Sequence, residues 1–329
     1  MITINDPLVS VLLPVYNGEP HVADAIESVL NQDYKNFEFI IVDNASTDDT
    51  ASIIARYTSD SRINLIRNTQ TLPRLENFSL AFSSASQKSR WYKYIGDDDR
   101  LLPTCLSEMV KAGGIYNNTG LVASYYYSNN QLVTGALPRE TNHISGPKIL
   151  HKMLLEPEAR STIFSPTSVL IAPAAFWEMG GFRTDLLHAD NELFFRILNR
   201  YDLAYIHQPL TVIGYHNRSG QAESTASGTT FAEAYLIRYH NLKIYDNVRL
   251  SLLERGKVKY NLVNDSTGFM LAKLTKGNIK AAFAHLKLIP LAAIYYLPVS
   301  FCYFCCLAVK KVINRERFHL FSRKGTNRK

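Results

Sequence analysis

Four short apolar runs confine the first hundred residues to very few folds. VSVLLPV (9–15), FEFIIVD (37–43), RINLIR (62–67) and WYKYIG (91–96) are separated by longer amphipathic stretches near 20–31, 47–58 and 74–85. Near-continuous apolar strands divided by helices predict a largely parallel sheet covered on both faces. In open sheets of that kind, ligands bind outside the carboxyl ends of the strands. Those ends are polar here. Pro14-Val15-Tyr16-Asn17-Gly18 closes the first strand, Asp43-Asn44-Ala45-Ser46-Thr47-Asp48 the second, and Gly96-Asp97-Asp98-Asp99 the fourth.

Each cluster has a plain structural reading. Asn17-Gly18 is a good turn, Ser46 or Thr47 ahead of acids suits a helix N-cap, and Asp99 before LLP suits another. Capping accounts for one carboxylate per helix, not for three in a row. Adjacent carboxylates in a half-buried cleft raise one another's pKa, and desolvation adds to the cost. A divalent cation removes the conflict. Oxygen donors suit Mg²⁺ or Mn²⁺, and Mg²⁺ is commonly held by one or two carboxylates together with substrate phosphates. A phosphorylated ligand is therefore implied. Neither a Walker A loop nor a G-x-G-x-x-G follows the first strand, so P-loop hydrolysis and dinucleotide redox chemistry lose support. A metal-dependent phosphotransferase and a catalytically silent binding module at a membrane both remain open.

The combination VSVLLPVYNGEPHVADAIESVLNQDYKNFEFIIVDNASTDDT, with an acidic cluster about fifty residues on, resembles the family 2 inverting glycosyltransferases of the GT-A fold. That resemblance implies a Rossmann-like, mostly parallel sheet flanked by helices. It also implies that Pro14, Val15, Tyr16 and Asn17 line a nucleotide pocket, that Asp43 reads the base, and that a D-x-D-type motif holds Mn²⁺ or Mg²⁺ on the donor's diphosphate. Many relatives carry D-x-D-D at the acidic motif, and an ungapped alignment puts Gly96 at the place of the first acid. Asp98 becomes the principal metal ligand, with Asp97 and Asp99 beside it. The segment EMGGFRTDLLHADNELFFRILNRY (178–201) resembles the family's acceptor-side element, which makes Asp190 the general base. His216 and Arg218, in VIGYHNRS, fall in an element that lies near the metal and diphosphate in such enzymes. The resemblance implies a nucleotide-sugar donor, UDP- or dTDP-linked, and a glycan or lipid-linked glycan acceptor in cell-surface polysaccharide synthesis. Glu192 and Arg196, four apart on a helix, are expected to form an exposed pair worth roughly 0.3–0.5 kcal/mol.

The formal charge of +7 is unevenly spread. From Lys273 onward there are 12 Lys or Arg against one acid, Glu316, so the rest of the chain is net acidic. With no basic stripe on the catalytic half, nucleic acid is not an expected partner. The tail holds LIPLAAIYYLPVSFCYFCCLAV (288–309), 22 residues without a formal charge, followed by Lys310, Lys311, Arg315 and Arg317. Its length passes the roughly 18 apolar residues of a membrane span, while Pro290 and Pro298 suit an interfacial or re-entrant segment with a basic collar equally well. A buried C-terminal hairpin is the alternative. The N-terminus has no basic region ahead of its apolar run, so it is not expected to be a secretory signal. The expected organisation is a catalytic domain over 1–225 (nucleotide half 1–115, acceptor half 116–225), a helical extension over 226–285 and a membrane-associating tail over 286–329. Such a chain would work at the cytoplasmic face of a membrane. Cys302, Cys305 and Cys306 lack a second ligand pair and are not expected to bind zinc.

Overall fold

The computed structural model describes residues 6–156, 165–186, 188–214 and 245–275, and of residue 262 and residues 265–275 the backbone alone. Contacts divide the chain into two compact units, Met1–Glu223 with Asn241–Arg249, and Ser224–His240 with Leu250–Lys329.

The first unit begins with the expected alternation: β1 (Val9–Val15), α1 (Val22–Leu30), β2 (Phe37–Asp43), α2 (Thr50–Ala55), β3 (Ile63–Arg67), α3 (Arg74–Ser83) and β4 (Trp91–Tyr94). β1 pairs in parallel with β2 and β4, and β2 in parallel with β3, which gives the order β3-β2-β1-β4. Every residue of β1 is buried, as its near-continuous apolar sequence requires of a strand covered on both faces. β3 lies at the sheet edge and is mostly exposed. Its polar and charged residues suit an edge that must not recruit another strand. In α1, Val22, Ala25, Ile26 and Val29 are buried. Their i, i+3, i+4, i+7 spacing places them on one stripe against the sheet.

The remainder adds β5 (Arg100–Leu101), α4 (Cys105–Gly113), β6 (Thr119–Ser128), β7 (Gln131–Val133), β8 (His143–Ile144) and α5 (Gly146–Leu155), then β9 (Val169–Ile171), α6 (Pro173–Glu178), α7 (Ala189–Leu198) and β10 (Asp202–Ile213). The path continues β4-β9-β6-β10-β5. β9 is antiparallel to both β4 and β6, β10 is parallel to β6, and β5 is antiparallel to β10. The sheet is thus mixed, with its parallel part concentrated in the N-terminal half. Asp99 does not cap the following helix. Arg100 and Leu101 pair with β10, and α4 begins at Cys105 after Thr104. Pro103 disfavours a helical Leu102, which delays the start.

In the second unit, α8 (Leu252–Thr275) opens on a reciprocal cap. The Glu254 N–H donates to Ser251 Oγ (3.3 Å), and the Ser251 N–H donates back to Glu254 Oε2 (2.8 Å). Among the described residues no helix is long and apolar enough to cross a membrane. The segment 288–309 and its basic flank lie outside the described residues, as do His216 and Arg218.

Candidate active site

A cleft of about 540 Å³ opens at the carboxyl ends of the N-terminal strands. Pro14, Val15, Tyr16 and Asn17 line it, together with Asp97, Asp98 and Asp99 and with Asn44, Thr71 and Leu72. Two loops are laced together to form it. The Asn17 N–H donates to Ser46 Oγ (3.0 Å), the Gly18 N–H to Thr50 Oγ1 (2.8 Å), and the Thr47 N–H to Asn17 Oδ1 (2.9 Å). The polar residues that the sequence offered as helix caps instead tie the β1–α1 loop to the β2–α2 loop. Asn17 and Ala45 both hold left-handed backbone, φ 52° and 56°. For alanine that conformation costs roughly 1–2 kcal/mol.

Asn44 ties the end of β2 to the loop before α3. Its Nδ2 donates to the Leu72 carbonyl (2.9 Å) while its Oδ1 accepts the Leu72 N–H (2.8 Å). A carboxylate could make only the second of these bonds. Asp43 itself does not line the cleft and is 1% exposed. Its Oδ1 accepts the Ser46 N–H (3.0 Å), and its Oδ2 lies 3.2 Å from Arg67 Nε without the alignment of a hydrogen bond. A buried acceptor oxygen thereby stands without a donor.

The three aspartates behave differently. Asp99 is buried, and both oxygens are engaged: Oδ1 accepts the Gly214 N–H (2.9 Å), while Oδ2 accepts the Gly96 N–H (3.3 Å) and the Thr167 hydroxyl. Burial, reinforced by the neighbouring charge of Asp98, pushes its carboxyl up to about 7. Asp99 therefore lines the cleft and at the same time supports the acidic turn from within. A Cβ at Gly96 would lie 2.8 Å from Asp99 Oδ2, so the absent first acid and the inward Asp99 share one cause. Asp97 leans the other way: its Oδ2 would be 2.8 Å from a Cβ on Gly18. That contact brings the acidic turn against the β1–α1 loop.

Arg74, Phe78 and Tyr94 form a further wall that the motifs had not flagged. Phe78 stacks on Tyr94 at 5.1 Å, and the Arg74 guanidinium stands 5.7 Å above Phe78. Burial first, then the charge of Asp99, holds the Tyr94 phenol well above its usual range, so it is neutral. Asn77 accepts a hydrogen bond from Asn68 (2.9 Å) and donates to the Val42 carbonyl (3.4 Å), ordering the loop before α3. Thr167 carries no sequence signal at all, whereas Gly214 directly precedes the His-bearing segment.

Asp190 does not line this cleft. It stands half-buried in the first turn of α7, whose N-cap is His188, so it is no cap. The Glu192–Arg196 pair expected at the surface is in fact interior: Glu192 is fully buried, and Arg196 is bound to both its oxygens at 2.7–2.9 Å. Arg196 also donates to the carbonyls of Met179 and Gly181 (2.7 Å to the latter). The pair locks α7 to the Gly180-Gly181 turn, where both glycines take positive φ. The i, i+4 spacing shows a shared helix face but not that this face is covered.

A divalent cation is compatible with this donor set. The side chains near the turn are hard oxygen ligands, and the raised carboxyl of Asp99 shows how costly a further charge is there without one. Among the described residues no three Asp, Glu, His or Cys side chains converge as a complete cage. One or two carboxylates completed by phosphate oxygens would suit Mg²⁺ or Mn²⁺.

Comparison with known proteins agrees with this architecture. Residues 10–178 match the model of "Glycosyl transferase family 2". The chain is 32% identical over 138 residues to WfaP of Escherichia coli, a UDP-Glc:alpha-D-GlcNAc-diphosphoundecaprenol beta-1,3-glucosyltransferase, covering 41% of this chain and 54% of that protein. The chain spans 66%, 54% and 61% of the length of three curated relatives, WfaP among them. Staphylococcus aureus TarS 1-349, solved with UDP-GlcNAc, superposes with a TM-score of 0.64 at 16% identity, over 88% of this chain and 84% of TarS. The mannosyltransferase PcManGT of Pyrobaculum calidifontis, solved with GDP-Man and Mn²⁺, gives 0.53 at 18% identity, over 94% and 88%. These likenesses show the GT-A fold, and with the family match they establish that this chain belongs to glycosyl transferase family 2.

Proposed function

We propose that this protein is a metal-dependent inverting glycosyltransferase that moves a sugar from a nucleotide donor to a growing, lipid-linked glycan. One observation carries the reading: the loop of Pro14 to Asn17 and the acidic turn of Asp97 to Asp99 face each other across one cleft sized for a nucleotide sugar. Asn44, Thr71 and Leu72 on the cleft wall would meet the base, while Asp43, buried outside the lining with Oδ2 3.2 Å from Arg67, would act by holding the β2–α2 loop through the Ser46 N–H. Tyr16, 47% exposed at the cleft edge, offers its ring face to the base or ribose.

Asp98, with Asp97 beside it, would hold Mn²⁺ or Mg²⁺. The cation, when bound, neutralises the diphosphate as it departs. Asp99 keeps the turn in place from behind. Asp190, in the first turn of α7 and outside the lining of this cleft, would take the proton of the acceptor hydroxyl from the acceptor side as that oxygen attacks the anomeric carbon. A single base with no enzyme nucleophile gives inversion. His216 and Arg218 would add contacts to the diphosphate, Arg218 by charge-assisted hydrogen bonds. The acceptor reading follows what WfaP is named for, and the uncharged 22-residue stretch with its basic flank supports placement at the cytoplasmic face of a membrane.

The test is a thermal-shift screen of sugar nucleotides with and without Mn²⁺, followed by turnover on a polyprenyl-diphosphate-linked sugar. The cognate donor at 100 times its Kd should stabilise the chain by about 2.7 kcal/mol. Asp190→Asn should keep donor binding and lose turnover. A chain that binds donors but transfers to no acceptor, and is indifferent to Asp190→Asn, would be the silent binding module instead.

A further inference from the structure

Lys93 on β4 is fully buried, between α4 and the turn that precedes β9. Its ammonium donates to the carbonyl of Thr167, lies 3.5 Å from the carbonyl of Val169 and 3.4 Å from the Met109 sulfur, and forms no ion pair among the described residues. A buried ammonium without a counter-ion is expensive, and a Met or Leu would fill the same space at lower cost. Burial accordingly holds the Lys93 amine below its ordinary range, with Cys105 and Asp99 pulling the other way.

The partner that Lys93 selects is informative. Thr167, whose carbonyl it holds, sends its hydroxyl to Asp99 Oδ2, and Asp99 in turn accepts the N–H groups of Gly96 and Gly214. A continuous chain of hydrogen bonds thus runs from inside the core to both ends of the acidic turn. Thr167 has no cap or ladder duty that would require a charged partner on its carbonyl.

We infer that Lys93 is a positioning residue for the acidic turn: it fixes Thr167, and through Thr167 the Asp99 carboxylate, so that Asp97 and Asp98 meet the donor diphosphate in a constant geometry. The inference rests on the transferase reading above. Lys93 touches neither substrate nor cation. Its effect falls on the metal-and-phosphate half of the cleft and spares the nucleoside half, which the β1 and β2 loops build independently.

The experiment compares the unsubstituted chain with Lys93→Met, Thr167→Val and the double variant. Thermal melting reads folding, and calorimetric titration with UDP plus Mn²⁺, and separately with uridine, reads the two halves of the cleft. Loss of a residue supporting a metal site costs about 10- to 100-fold in metal-linked affinity, so Lys93→Met should weaken Mn²⁺–UDP about tenfold and uridine less than twofold. The double variant should be no weaker than the worse single one, because both act along one path. Equal losses for UDP and uridine, losses that multiply, or a folded variant with unchanged affinity would overturn the role. Lys93→Gln, smaller and neutral but still a donor, should stay within about threefold of wild type, and a tenfold loss in a folded Lys93→Gln would also overturn it. An unsubstituted chain that binds no nucleoside diphosphate overturns the transferase reading itself, whereas variants that match a binding wild type overturn the Lys93 role alone.

Discussion

The main-chain N–H of Gly214 donates to Oδ1 of Asp99 across 2.9 Å, joining residues 115 positions apart and tying the end of β10 to the acidic turn. The approach leaves no room for a side chain: a Cβ on residue 214 would lie 2.1 Å from the Asp98 carbonyl oxygen. Main chain cannot give way as a flexible side chain does. Gly214→Ala should therefore destabilise the protein by about 1–3 kcal/mol and weaken nucleotide binding in the presence of Mn²⁺. Thermal melting and UDP titration would measure both, and an unchanged melt would show that the two segments are not held together in solution.

The aspartates of the turn should separate by function. Asp98→Asn should remove the Mn²⁺ dependence of UDP binding and lower turnover on the order of 10²–10³-fold, since it strips stabilisation of the departing diphosphate. Asp99→Asn keeps an acceptor oxygen, and both Asp99 oxygens are already engaged by Gly96, Thr167 and Gly214, so it should retain a larger share of Mn²⁺-linked affinity. Titrations of the two variants with and without Mn²⁺ decide the order.

Asp99 also makes a prediction about pH. Folded, its carboxyl holds a proton up to about 7, while in the unfolded chain an aspartate releases it near 3.9. Between those values the folded state binds more protons, so this contribution is fully present below about pH 4 and is lost as pH rises through about 7. Without metal, the stability of Asp99→Asn relative to wild type should rise from about pH 4 to about pH 7 and level off above it. Urea unfolding across that range is the measurement, and a flat difference would show that Asp99 is ionised throughout.

Glu192→Gln or Arg196→Leu should cost far more than an exposed pair would. Removing one partner of a buried ion pair typically costs about 3–5 kcal/mol, against a few tenths for a solvated i, i+4 pair. Arg196→Leu additionally frees the carbonyls of Met179 and Gly181. Chemical denaturation distinguishes the two magnitudes, and a loss below about 1 kcal/mol would place the pair in solvent.

Much of the nucleotide half was legible because its information is local. Apolar runs of strand length, separated by amphipathic helices, placed β1 to β4 within a few residues and put three polar clusters on one rim. The mixed second half was not legible in the same way. β5 is two residues long, and β9 is three residues inserted antiparallel between β4 and β6, too short to leave a periodic trace. Helical spacing likewise put Glu192 and Arg196 on one face without saying whether that face was covered.

By itself, then, the sequence determined the strand-helix alternation, the edge at which a ligand meets the sheet, and the demand of three adjacent carboxylates for compensation. Tertiary structure decided how that demand is met: Thr167 and Gly214, 68 and 115 residues away along the chain, turn Asp99 inward, while Gly18 receives Asp97. The reason is physical. Periodicity and charge are properties of neighbouring residues, but the protonation and orientation of a buried carboxylate are set by donors that only folding brings within about 3 Å.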